Sequence, residues 1–143
     1  MSNKSNSRKI PELLAPAGNL DCAYAAFQYG ASAVYAGLDK FSARAEATNL
    51  SIEEIEEICA YAHAQTGLRS VYVTLNTVVL DREISEILEI LARISEAGVD
   101  AVIVQDLGIA RIISRYFPSL RLHASTQMVI HNLDGVRELA KMG

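Results

Sequence analysis

Cysteine is scarce in this chain. Cys22 and Cys59 are its only two, far apart and without CxxC or Cys/His spacing, which leaves the usual zinc patterns without ligands. Basic residues are not in excess either: 13 Lys and Arg stand against 17 Asp and Glu, a net charge of -4. A broad basic face for nucleic acid is therefore not encoded, although a local patch is compatible with the count. Long hydrophobic runs are missing. No window approaches the roughly 18 apolar residues of a membrane span, and residues 1–9, MSNKSNSRK, lack the apolar core of a signal peptide. The expectation is a protein off the membrane, with reduced thiols and a cytoplasmic location. Several catalytic signatures are absent too: GxGxxG, GxxxxGKS/T, HExxH and GxSxG.

What is present reads as one globular domain. Half of the 143 residues are hydrophobic and 21% are charged, ordinary values for a chain long enough to bury a core. Residues 1–9 are expected to form a disordered polar leader, and residues 10–143 the domain. Strand and helix patterns alternate five times. Strands are expected at Leu13–Ala17, Ser32–Gly37, Ser70–Asn76, Asp100–Asp106 and Leu120–Thr126. The helices between and after them are expected at about Asn19–Tyr29, Ser51–Gln65, Asp81–Ala97, Leu107–Phe117 and Asn132–Met142. Ser51 and Glu54 have capping-box spacing, and Ile55, Ile58, Cys59 and Ala62 share one helical face. Cys22 and Cys59 both read as small apolar residues of amphipathic helices. Gly30, Gly67 and Gly98 sit where helices should stop. Asn19, Asp81 and Asn132 suit helix caps.

Repeated strand-helix units imply an α/β fold with a parallel sheet. Two architectures compete. One is a five-stranded doubly wound parallel sheet, which suits the length. The other is five consecutive βα units of a (β/α)8 TIM-type barrel, truncated from a longer protein. The polar residues on one face of the strands favour the barrel. Both faces of a doubly wound sheet meet helices and should be apolar, whereas a barrel's inner face turns polar toward its mouth.

The richest stretch is LHASTQM, Leu122–Met128. On a strand, alternate side chains share a face, so His123 and Ser125 point one way and Leu122 and Ala124 the other. Four earlier loops follow strand ends in the same manner. They carry Asn19, then Arg44 and Asn49, then Asn76, then Gln105 and Asp106. The candidate catalytic residues are Asp106 and His123; the candidate substrate-binding residues are Arg44, Asn49, Asn76, Gln105, Ser125 and Gln127. One cation, one carboxylate, one imidazole and several amides and hydroxyls suit an anionic or heterocyclic ligand. Each has a plainer reading: His123 as a core imidazole, Asp106 as a helix cap, Arg44 as a solvated loop cation. Ser125 and His123 lie on one strand and are not placed as nucleophile and base.

Six blocks in order resemble one family: PELLAPAG (11–18), GASAVYAGL (30–38), FSARAEATN (41–49), VYVTLNT (71–77), GVDAVIVQDLG (98–108) and LHASTQM (122–128). They are similar to the N-terminal part of the U32 family, the collagenase-like peptidases. The resemblance implies a barrel domain and two activities. One is the peptidase activity of the family name. The other is oxygen-independent hydroxylation of a transfer RNA uridine, a ribosomal RNA cytidine or the ubiquinone ring. FSARAEATN, VTLNT, IVQDLG and LHASTQ look most like the ribosomal RNA branch. Its members carry an iron-sulfur cluster on cysteines from a later part of the domain. The resemblance thus implies no cofactor on this chain, a cluster in the full-length protein, and RNA or a small organic co-substrate as partner. A metal-dependent peptidase and a non-catalytic binding module are the alternatives. A part-barrel with two open sheet edges is also expected to self-associate.

Overall fold

A computed structural model describes residues 11–43 and 49–142. The expected leader at 1–9 and the candidate Arg44 lie outside the described residues. Five strands form one sheet: β1 (Leu14–Pro16), β2 (Ala33–Gly37), β3 (Ser70–Leu75), β4 (Ala101–Val104) and β5 (Arg121–Ala124). Helices alternate with them: α1 (Leu20–Gln28), α2 (Ile52–Ala64), α3 (Ile84–Glu96), α4 (Leu107–Tyr116) and α5 (Leu133–Ala140). The strands lie in the order β1-β2-β3-β4-β5, every neighbouring pair parallel.

That order decides between the two architectures. A doubly wound sheet reverses direction partway; this one advances by one strand each time. Right-handed crossovers that all step the same way place every helix on the same face. Packing agrees. The main core joins Phe27, Ile55, Ile58, Ile87, Leu91, Ile94, Ile109 and Ile113 of the helices to Val34, Val71, Val73, Leu75, Val102 and Val104 of the strands. The alternate strand residues Ala33, Tyr72 and Ala101, flanked by Tyr35 and Ile103, form a second cluster that contains no helix residue. The fold is a run of consecutive βα units, as in a (β/α)8 barrel, and the second cluster lies on its inner face.

Local chemistry explains most boundaries. The Asn19 side chain accepts the Cys22 N–H at 2.8 Å and starts α1. Ser51 and Glu54 form the reciprocal capping box of α2. Asn132 accepts the Gly135 N–H at 2.9 Å and starts α5. Gly98, with φ +86°, ends α3 in the left-handed region. Two expectations need correction. Asp81 is not a cap: Asp81–Glu83 forms a separate 3-10 turn before α3, and Leu80 precedes it, its N–H held by Glu83 at 2.8 Å. Cys22 is exposed on α1; only Cys59 is buried in the helix-facing core.

Candidate functional site

The strand register assembles the inner face in rows. Gly37, Thr74, Ile103 and His123 align across β2 to β5, and Tyr35, Tyr72, Ala101 and Arg121 align in the row below. Above the upper row the strands end and the loops begin. Ser125 N–H still bonds the Val104 carbonyl at 2.8 Å. The chain then turns through a 3-10 segment, Thr126–Met128. The Ser125 hydroxyl sets that turn by accepting the Gln127 N–H at 3.2 Å, the local bond that serine offers a turn.

These loops enclose a cleft of about 510 Å³ at the C-terminal ends of the strands. Asn76, His123, Ser125 and Gln127 all line it, together with Tyr35 and Thr74. Four of the eight candidates are therefore brought to one wall. Two smaller recesses adjoin it. The first, about 110 Å³, shares Asn76 and holds Asn49. The second, about 420 Å³, shares Gln127 and holds Gln105 and Asp106. Every candidate among the described residues thus lines the cleft or a recess that shares a residue with it, although they do not meet at a single point. No carboxylate or cation lines the central cleft among the described residues.

The first recess is built tightly. Ser42 and Thr74 are buried, with hydroxyls 3.1 Å apart, and Thr74 donates to the Ala36 carbonyl at 3.2 Å. The Asn76 Oδ1 accepts the Ala43 N–H at 3.0 Å and pins the β2–α2 loop against β3. Gly37 is required there: a Cβ would stand 2.5 Å from Ser42 Oγ and 2.9 Å from Asn49 Oδ1. In the second recess Asp106 uses both carboxylate oxygens. Oδ1 accepts the Ile109 N–H at 3.0 Å, which caps α4, and Oδ2 accepts the Val79 N–H at 3.3 Å. Its geometry is that of the cap reading.

His123 is half-buried, and its ring stands 4.7 Å from that of Tyr72 with the planes 75° apart. Burial holds the imidazole below its ordinary value, the Arg121 charge adds to this, and Glu12 opposes it. At neutral pH the ring is uncharged and offers one donor and one acceptor. Tyr72, which meets the His123 ring, and Tyr35, which lines the same cleft, were not among the sequence candidates. Their odd-even phase with Gly37 and Thr74 was readable, but the nearness of Tyr72 to His123 depends on cross-strand register.

Comparison with known proteins gives this arrangement its relatives. The model of peptidase family U32 matches residues 18–143. An uncharacterized protease of Methanocaldococcus jannaschii is 43% identical over 85% of this chain and 29% of its own length. The 23S rRNA 5-hydroxycytidine synthase of Escherichia coli is 38% identical over 92% of this chain and 19% of its own length. A tRNA hydroxylation protein of Bacillus subtilis is 36% identical over 90% of this chain and 30% of its own length. A solved U32 peptidase structure superposes over 100% of this chain and 60% of that one, with a TM-score of 0.73 at 10% identity; it supports the fold alone. The chain therefore spans less than a third of the length of these sequence relatives. With the family model covering most of its residues and the blocks around the mouth falling within that match, the chain belongs to peptidase family U32.

Proposed function

We propose that this chain is the N-terminal segment of an RNA nucleobase hydroxylase, and that its mouth binds the base to be modified. The observation that carries the reading is the uncharged lining of the central cleft among the described residues: amides, hydroxyls and a neutral imidazole, with the ring of Tyr35 in the same cleft. A heterocyclic base presents donors and acceptors along its edge and a flat face for an aromatic ring. Asn76, Gln127 and His123 would read the edge. Asn49 and Gln105 would hold flanking groups from the adjoining recesses. Arg44, between β2 and α2 in the sequence, would supply the cation for an anionic co-substrate. Among the described cleft residues His123 would take or give the proton near neutral pH, and Asp106 would act by fixing the loops that follow β3 and β4. Two of the relatives above are named for hydroxylating ribosomal or transfer RNA, which supports this branch. A cytoplasmic location follows from an RNA substrate.

The iron-sulfur cluster that the family resemblance implies would be held outside this chain. Cys22 is exposed, and burial pushes the Cys59 thiol up to about 12, far from the thiolate a metal needs. No group of three His, Cys, Asp or Glu side chains converges among the described residues. The contribution of this chain is binding and proton handling at the mouth. For peptidase chemistry the cleft offers less: the Ser125 hydroxyl is committed to the Gln127 N–H, and no hydrogen bond joins it to His123 among the described residues.

The test uses the full-length protein, purified without oxygen, and RNA from cells lacking its gene. The expected result is iron with broad visible absorbance in the protein, and a hydroxylated pyrimidine missing from the RNA. An iron-free protein from cells with unchanged RNA would sink the reading. Gelatin cleavage by that protein would then bring peptidase activity forward.

A further inference from the structure

The inner face holds one side chain out of scale with its surroundings. Ala33 and Ala101 flank β3 in the lower rows, yet between them sits Tyr72, 1% exposed, on the face that no helix covers. Three groups hold it. Its hydroxyl donates to Glu12 Oε1 at 2.7 Å. The Arg121 guanidinium stands 5.9 Å from its ring centre. The His123 ring meets it at 4.7 Å with the planes 75° apart. Perpendicular ring pairs of this kind are favourable beyond their buried area, and a cation over a ring face adds to them.

We propose that Tyr72 is a positioning residue for His123: it supports the imidazole from beneath, and Glu12 and Arg121 in turn fix Tyr72. The inference rests on reading the cleft as the substrate site. A half-buried imidazole has freedom to rotate about both χ angles, and freedom at a reacting group costs rate. A ring packed perpendicular to it removes much of that freedom. It also keeps water from one side of the imidazole, so that the neutral form persists at neutral pH. The charged groups near the pair are Glu12 and Arg121, which act on His123 in opposite directions. The other cleft groups beside it, Asn76, Ser125 and Gln127, are uncharged.

Nuclear magnetic resonance of the labelled chain tests this without any ligand. Ring-proton cross-peaks between Tyr72 and His123 are expected in the wild type, with His123 ring protons displaced by the ring current of Tyr72 and titrating below the ordinary 6.5. Tyr72→Phe should keep both features, because the ring remains. Tyr72→Leu should remove that ring-current displacement and move the His123 titration up toward 6.5. Absent cross-peaks in the wild type, or an unchanged His123 in folded Tyr72→Leu, would overturn the proposal. The wild-type cross-peaks decide the matter even if Tyr72→Leu does not fold. These readouts do not depend on RNA, so failure of the hydroxylase reading and failure of the positioning role are told apart.

Discussion

The carboxylate of Asp106 at the end of β4 accepts the backbone N–H of Val79, in the segment that follows β3, at 3.3 Å. The same side chain caps α4 through Ile109 at 3.0 Å. One residue therefore ties together two of the loops that form the mouth.

This double role predicts how Asp106 responds to substitution. Asp106→Ala removes a helix cap, worth about 1 kcal/mol, and a bond to the neighbouring loop worth about as much again. Asp106→Asn keeps an acceptor for one of the two N–H groups and should recover part of that loss in urea unfolding. In the full-length protein, an active Asp106→Asn variant would assign Asp106 to positioning. A folded but inactive one would assign it to proton transfer.

The depressed titration of His123 predicts a pH dependence of stability. Above about pH 6.5 both folded and unfolded chains carry a neutral ring. Between that value and the lower folded one, the unfolded chain binds more protons, so stability falls as pH is lowered. Urea unfolding at about pH 7.5 and about pH 5.5 should show a larger loss in wild type than in His123→Gln. Equal losses would mean that the ring titrates alike in both states.

Among the described residues the sheet ends on β1 and β5, and neither edge has a partner strand. Beside β5 lies an apolar groove of about 420 Å³ lined by Leu122, Met128, Ile130, Val136 and Leu139, and α5 has no buried residue. Unpaired edges next to apolar surface favour association. The isolated chain is expected to pair with second copies, giving a mass that rises with concentration in light scattering. A concentration-independent monomer would contradict this. Val136→Glu, on the exposed part of the groove, should lower the association.

Much of this molecule was legible in the sequence, for physical reasons that can be named. Apolar spacing fixed the buried faces of α2 and α3, since Ile55, Ile58, Ile87, Leu91 and Ile94 are all fully buried. The polar inner face at Thr74 and His123 pointed to the barrel run over the doubly wound sheet, and the unreversed strand order agrees. The mouth was legible in outline because loops after parallel strands gather at one end. Its division into a central cleft and two recesses was not, since it depends on how far each side chain reaches. Asp81 misled because a 3-10 turn and a helix begin alike in sequence. The Glu12–Tyr72–Arg121 assembly was hidden for another reason: its members lie 60 and 49 residues from one another along the chain, and only register makes them neighbours.

The central claim is that the uncharged cleft binds the base that the full-length protein hydroxylates. The most direct measurement returns full-length wild type, Asn76→Ala or His123→Ala to cells lacking the gene, with nucleosides from their RNA read by mass spectrometry. The account predicts that wild type restores a hydroxylated pyrimidine. It predicts that His123→Ala, at equal soluble protein, restores at most about a hundredth as much, the scale of a lost general acid or base, and that Asn76→Ala restores less than wild type, through a lost hydrogen bond to the base. Full restoration by both variants would contradict it.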